Sequence, residues 1–352
     1  MAPTPSRNPE ASMALLRLVS GAWTAQAVHV AARLGIADLL ADGPKAPDML
    51  AAATGAHGPT LERLLRALAS LGVFAEQPDG RFGLTPLADG LRRDAEGSLC
   101  DYAVMMGDEW HWRAWGGLLH SVRTGESAFE HAHGRPLFDY LADHPAAGQV
   151  FDDAMTSRTR QEVAVVTAAY DWPATGTVVD VGGGRGALLA AILEARPDAR
   201  GVLFDLPHVI EAAREGPVQP AVAAGRCELV AGSFFEHVPA GGDLYLLKRV
   251  LHDWDDERAA AILSCCRRAM GSRGRLLVIE HVLPPGNEPS WGKLLDLQML
   301  VLTHGGRERD EGGFQSLLAA AGLRLQRVVP AGPTASLIEA VAGEADPATG
   351  GA

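Results

Sequence analysis

Three stretches of this 352-residue chain carry residue types whose spacing could do chemistry. The first is Leu244-Tyr-Leu-Leu-Lys-Arg-Val-Leu-His-Asp-Trp-Asp-Asp256. It begins as an apolar run short enough for a buried strand and ends with His252 among carboxylates and a tryptophan. A histidine of unperturbed pKa near 6.5 is largely neutral at pH 7 and can take a proton from a bound molecule. The second is the run Thr177-Val-Val-Asp-Val181, followed by Gly182-Gly-Gly-Arg-Gly186 and a helix-like segment, Ala187–Ala195. Strand, glycine loop and helix form the nucleotide-binding arrangement of doubly wound sheets, where a Cβ would block the approach of backbone to ligand. The spacing departs from G-x-G-x-x-G, and no Lys-Ser or Lys-Thr follows, so this is not a phosphate-binding P-loop. The third is a set of strand-end groups. Asp205 follows Gly201–Phe204, where a carboxylate could take both hydroxyls of a ribose. Ser233 and Phe234 follow Cys227–Val230, where they could meet an adenine edge and face. Glu280 follows Arg275–Ile279, and a charge directly after a buried strand needs a reason.

The elements that must position these groups are legible as an alternation. Apolar runs at 177–181, 201–204, 227–230, 244–248 and 275–279 alternate with helical segments, including 256–270, 294–302 and 311–321. Two further runs, 323–329 and 335–340, close the series. The pattern predicts an α/β fold: a parallel sheet with helices on both faces. Each candidate group falls at or just beyond the carboxyl end of a strand, the ligand edge of such sheets.

The first half reads differently. Ala11–Leu40 has apolar residues at helical spacing (Leu15, Leu16, Val19, Trp23, Val30, Leu34) and predicts an apolar helix that packs on another chain or among helices. Short helices are predicted at 46–54 and 60–71, the latter with Thr60 as N-cap and Gly72 as C-cap. A hairpin follows, turning at Pro78-Asp-Gly80. Helix, helix, hairpin is the outline of a winged helix. Arg63 and Arg66 are accompanied by Glu62 and form no basic stripe, so the domain is expected to serve dimerisation and pocket-building rather than DNA binding. Cys100–His120 is rich in Trp and Met, which suits a core or an aromatic pocket, and 150–170 reads as a long helix. The expected division is a winged-helix-like domain over 11–100, a helical linker and pocket region over 101–170, and a Rossmann-like domain over 171–342.

Composition limits the partners. The net charge of −12 opposes a broad grip on nucleic acid or an anionic membrane. The four cysteines show no metal-ligand spacing, nor do His131, His133 and His144; reduced, buried thiols of a cytoplasmic protein are expected. No apolar run is long enough to span a bilayer, the N-terminus has no signal region, and the tail from Gly343 is expected to be disordered.

Taken together, the motifs resemble one family. The chain is similar to the metal-independent, S-adenosylmethionine-dependent O-methyltransferases, which include the plant caffeic acid enzymes and the bacterial enzymes that tailor aromatic polyketides and antibiotics. The likeness runs through 178–186, 204–208, 232–235, 247–254, Glu280 and Gly305-Gly-Arg-Glu-Arg309, and the first half resembles the family's winged-helix dimerisation domain. The resemblance implies a seven-stranded Rossmann-like sheet, a homodimer, S-adenosyl-L-methionine as cofactor without a metal, and a small hydroxylated aromatic as substrate. It implies His252 as catalytic base, flanked by Glu280 and Glu308. It assigns the cofactor to Asp180, Gly182, Gly184, Asp205, Leu206, Ser233, Phe234 and Lys248, and the acceptor to Met155, Asp253 and Met299. Asp253 could instead orient the loop or cap the following helix. Carboxylates beside the imidazole would fix its tautomer and stabilise the imidazolium. Two positions depart from the family pattern: Ser233, where many relatives have Asp, and Asp310, where many have Thr. Three other functions are disfavoured. A family member that has drifted to hydroxylation or decarboxylation is disfavoured by retention of His252 and both glutamates. A DNA-binding regulator is disfavoured by charge, and an NAD-dependent oxidoreductase by glycine spacing.

Overall fold

The structure is a computed structural model that describes residues 8–343; the expected disordered tail lies outside the described residues but for Gly343. The chain separates into two compact units, Met1–Trp112 and Arg113–Ala352.

The first unit is helical with one hairpin. The single helix expected over 11–40 is three: Pro9–Val19, Gly21–Arg33 and Ile36–Leu39. The breaks have local causes. The Ser20 hydroxyl donates to the Leu16 carbonyl at 2.7 Å, competing with the next backbone turn, and Gly35 adopts a positive φ of 65°. Pro9–Val19 buries none of its residues within the unit, and Leu18 and Trp23 are 79% and 77% exposed. Helices Pro47–Thr54 and Gly58–Ser70 follow. Thr60 is not the N-cap: His57 holds that position and Pro59 lies in the first turn, so the Thr60 hydroxyl pairs with the His57 ring at 2.8 Å instead. Strands β1 (Phe74–Glu76) and β2 (Phe82–Leu84) form the expected antiparallel hairpin. Ile36, Leu50, Leu65, Leu68, Phe74 and Phe82 make a small core of their own.

The second unit is built on a seven-stranded sheet: β3 (Gly176–Val181), β4 (Ala199–Asp205), β5 (Cys227–Ala231), β6 (Leu244–Lys248), β7 (Arg275–Glu280), β8 (Leu323–Pro330) and β9 (Ser336–Ala342). The strand order is β5-β4-β3-β6-β7-β9-β8. The first five strands are parallel, as expected. The expectation of a wholly parallel sheet is corrected at β9, which runs antiparallel to both β7 and β8. Residues 331–335 are too few for the crossover that parallel neighbours require, so β8 and β9 pair as a hairpin.

Both sheet faces are buried. In β6, Leu244 and Leu246 face one core with the helix Ala187–Ala195, while Tyr245 and Leu247 face the other with the helices Asp256–Ala269 and Glu311–Ala320. That period-two division explains why the strands read as continuous apolar runs. Each fully buried aliphatic chain contributes about 1.5–3 kcal/mol. Chain order reverses between β3 and β6, the switch point outside whose carboxyl ends ligands bind in sheets of this kind. All four cysteines are buried and unbridged. No helix among the described residues is long and apolar enough to cross a membrane.

Candidate active site

The loop after β3 turns on glycines at positive φ: Gly182 at 69°, Gly184 at 59° and Gly186 at 76°. Gly182 and its neighbour Gly183 also lack room for a side chain. A Cβ on Gly183 would lie 2.6 Å from the Asp180 carboxyl, and one on Gly182 would lie 2.9 Å from Val250 and 3.5 Å from the Phe234 ring. Phe234 is thereby placed beside the glycine loop. Asp180 is buried, and its Oδ1 has no hydrogen-bond partner. Burial pushes its carboxyl up to about 7, with Lys248 opposing and Asp205 adding.

Asp205 ends β4. Its Oδ2 accepts the Gly184 N–H at 2.8 Å and its Oδ1 the Leu206 N–H at 2.7 Å. Burial raises its pKa, and those two N–H groups resist the rise. Each carboxylate oxygen keeps a lone pair for a further donor. Ser233 Oγ accepts the Phe235 N–H at 3.3 Å, a local turn contact. A buried carboxyl with an unpartnered oxygen, a carboxylate at the next strand end and a cradle that a Cβ would fill together fit an adenosine-type cofactor.

Past β6, Leu251–Asp253 forms a single 3₁₀ turn that presents His252. Its Nδ1 lies 2.7 Å from Glu308 Oε1, and its Nε2 is 3.7 Å from Asp253 Oδ1, outside hydrogen-bond range. Glu280 does not touch the imidazole through a hydrogen bond. Its Oε1 accepts the N–H groups of Leu251 (2.7 Å) and His252 (3.1 Å), so it holds the turn's backbone. The expectation that both glutamates orient the ring is thus corrected: Glu308 orients the ring and Glu280 the turn. Asp253 does not cap the next helix either; Asp255 does, accepting the Arg258 N–H at 2.8 Å. Asp310 caps the helix Glu311–Ala320 through the Gly313 N–H at 2.7 Å, a job a threonine also does.

The electrostatics correct the expectation of an unperturbed histidine. Burial alone would depress His252, but Glu308, Asp253 and Glu280 outweigh it and push the pKa up to about 9. Burial would raise Glu308, but the charge and hydrogen bond of His252, together with Arg249, outweigh it and hold that carboxyl below its usual range. Burial raises Glu280, and it pushes Asp253 up to about 7 against the pull of His252.

Several supporting residues escaped the sequence reading. Arg309 donates to the Leu251 carbonyl (3.1 Å), the Trp254 carbonyl (2.9 Å) and Asp256 Oδ1 (2.8 Å), clamping the His252 loop from both sides. Arg307 N–H donates to the His252 carbonyl at 2.8 Å, and a Cβ on Gly306 would sit 2.6 Å from that same carbonyl oxygen. The Gly305-Gly306 pair is therefore needed for the two loops to meet. Asp296, on the helix Trp291–Leu302, accepts the Glu308 N–H at 2.8 Å. The ring of Trp254 stacks on Phe138 at 5.8 Å and meets Phe235 edge-on at 4.8 Å. His281, directly after Glu280, is buried with Nε2 unpartnered, and burial pushes its pKa down to about 4. The Gly-Gly-Arg-Glu-Arg run was the available signal for Arg309; Asp296 and His281 had none.

Lys248 is not free at the strand end. Its Nζ pairs with Glu162 at 3.1 Å and reaches Thr159 Oγ1 at 3.2 Å. Both partners lie on the helix Pro145–Ala169, which also carries Met155 and meets the glycine loop through Arg185–Asp153 at 2.7 Å. Met299 is buried on the same helix as Asp296. Among the described residues, Arg249 is the non-glycine residue with positive φ, at 56°. That conformation costs about 1–3 kcal/mol and persists only where surroundings enforce it, as happens at functional sites.

The combination of a doubly wound sheet, a glycine cradle and a carboxylate-held histidine across the switch point fits the class of enzymes that work on an adenosine-type cofactor. Residues 115–324 match the O-methyltransferase domain and residues 16–94 the O-methyltransferase dimerisation domain. A phenazine O-methyltransferase of Lysobacter antibioticus is 50% identical over 94% of this chain and 96% of its own. The mitomycin biosynthesis 6-O-methyltransferase of Streptomyces lavendulae is 44% identical over 90% of each chain. The crystal structure of an O-methyltransferase from neocarzinostatin biosynthesis, in complex with S-adenosylmethionine and 2-hydroxy-5-methyl naphthoic acid, superposes with a TM-score of 0.76 at 38% identity, covering 91% of this chain and 96% of that one. The chain belongs to the O-methyltransferase family.

Proposed function

We propose that this enzyme methylates a phenolic hydroxyl of a small aromatic secondary metabolite, with His252 as the general base. The observation that carries the proposal is the Glu308–His252 bond at 2.7 Å, which fixes Nδ1 as the protonated nitrogen and leaves Nε2 as the acceptor. S-Adenosylmethionine supplies an activated methyl group on a sulfonium. Asp205 and Leu206 hold its ribose end, Asp180 and the Gly182–Gly184 backbone its amino-acid end, Phe234 and Ser233 its adenine, and Lys248 lies on the far side. Met155 and Met299 line the acceptor's ring, and Asp253 stands beside its oxygen. The protein acts as a homodimer through its dimerisation domain, which fits the apolar helix Pro9–Val19 left uncovered within its unit.

The raised pKa of His252 suits the proton it takes. A phenol has a pKa near 10, and an imidazole at about 9 nearly matches it. Proton transfer is then close to balanced, where an unperturbed histidine would leave it uphill by about 3.5 units. Because only neutral imidazole accepts a proton, kcat/KM should rise with pH toward about 9 in the wild type. In Glu308→Gln the strongest charge holding the proton is gone. The acidic limb should move to lower pH, and the plateau should fall because the forming imidazolium loses its partner. An acidic limb at the same pH in both enzymes would contradict the Glu308 role.

The proposal is tested by incubating the enzyme with methyl-labelled S-adenosylmethionine and a panel of hydroxylated polycyclic aromatics and their O-blocked analogues. Mass analysis should show label on the free hydroxyl of at least one acceptor and none on its blocked analogue. Label only on nitrogen or carbon would overturn it.

A further inference from the structure

The helix Pro145–Ala169 presents Asp152, Met155, Thr159 and Glu162 at intervals of three and four residues, one face of a helix. That face meets the glycine loop at one end, where Asp152 lies 3.6 Å from Arg185, and the end of β6 at the other. Glu162 is 5% exposed and pairs with three cations: Lys248 Nζ at 3.1 Å, Arg249 Nη2 at 3.0 Å and Arg158 Nη2 at 3.2 Å. A buried carboxylate needs partners, yet one would suffice. Burial would raise its pKa; the three cations outweigh burial and hold it down at about 2.

Each of the two partners at the end of β6 has a task at the site. Lys248 ends the strand facing Asp180, whose carboxyl it draws down. Arg249 takes the positive φ that turns the chain from β6 into Val250 and the His252 turn. Its guanidinium also donates to the Thr334 carbonyl, and its N–H donates to the Ile279 carbonyl at 3.1 Å. We propose that Glu162 is a positioning residue: by pairing with Lys248 and Arg249 at once, it keeps an ammonium at the cofactor edge and fixes the turn that aims His252. This rests on the cofactor assignment given above, with β3, β4 and β6 ends as the binding edge.

The charges around Lys248 give the proposal a signature that mere packing would lack. Burial lowers the lysine's pKa, Arg249 and Arg158 lower it further, and Glu162 counteracts them. Asp180 faces it from β3, and His281, past β7, interacts with both Glu162 and Arg249. In Glu162→Gln the pKa of Lys248 should fall toward neutrality, as in other buried lysines. Its charge would be present at low pH and lost as pH rises. The test is calorimetric titration of the purified dimer with S-adenosylhomocysteine from pH 6 to 9. The ratio of mutant to wild-type dissociation constant should be small at the acid end and grow about tenfold or more toward the alkaline end. Glu162→Asp should recover part of the loss, and kcat should fall in Glu162→Gln as the His252 turn loosens. If Glu162→Gln does not fold, the pair Arg158→Met with Glu162→Gln keeps the charge balance and is read in the same way. A ratio that is constant across pH, whether at unity or uniformly weakened, would overturn the proposal. A wild-type protein that does not bind S-adenosylhomocysteine would remove the cofactor assignment, and this inference with it.

Discussion

Replacing His252 by Ala is expected to lower the rate of methyl transfer by about 10²–10⁴-fold while leaving affinity for S-adenosylhomocysteine unchanged. The magnitude is that of a positioned general base. It should stay below total loss, because alignment of acceptor and donor persists without the imidazole. The division between rate and affinity follows from the layout. The imidazole is held by Glu308, and its backbone N–H, kept in the mutant, remains on Glu280. The proposed cofactor contacts sit on the glycine loop and β4, whose own bonds run from Gly184 to Asp205. Single-turnover rates and calorimetry on the same preparation check both halves. Near-normal turnover would remove His252 as the base, and a parallel loss of affinity would assign it to binding instead.

Asp205→Ala should show the reverse pattern, with S-adenosylhomocysteine bound about 10²-fold or more weakly. Two hydrogen bonds from hydroxyls to a carboxylate contribute about 1.5–3 kcal/mol each, which exceeds any effect expected from surface acids nearby. The substitution also frees the Gly184 N–H, which Asp205 Oδ2 accepts at 2.8 Å, so the glycine loop loses an anchor along with the ligand. Asp205→Asn separates the two effects, since an amide oxygen can still accept from Gly184 and should recover part of the affinity. Titration by calorimetry decides it, and unchanged affinity in Asp205→Ala would withdraw the ribose role.

Much of this arrangement was legible in the chain because it is written in local runs. Buried strands such as Leu244–Lys248 are apolar on both faces, and the loops after them carry the polar residues. Their periodicity and their endings therefore gave the parallel strands and the polar residues at their carboxyl ends. What was not legible depends on contacts between distant segments. Nothing local distinguishes Asp255 from Asp253 as a helix cap, or Glu280 as a backbone clamp from Glu280 as an imidazole partner. The antiparallel β9 follows from a connection whose shortness matters only once β8 is known to be its neighbour. Glu162 lies mid-helix with Arg158 four residues before it, the ordinary look of a surface pair; its burial appears only when β6 brings Lys248 and Arg249 against it. The pKa of His252 is the clearest case. The side chain alone suggests a weak base; Glu308 and Glu280, brought in from distant stretches, and the adjacent Asp253 make it a stronger one.

The most direct test of the account is a crystal structure of the wild-type enzyme with S-adenosylhomocysteine and a phenolic acceptor identified from the panel. It should show the acceptor oxygen within hydrogen-bond distance of His252 Nε2, and both ribose hydroxyls on the Asp205 carboxylate. An acceptor oxygen turned away from His252, or a ribose held by groups other than Asp205, would contradict it.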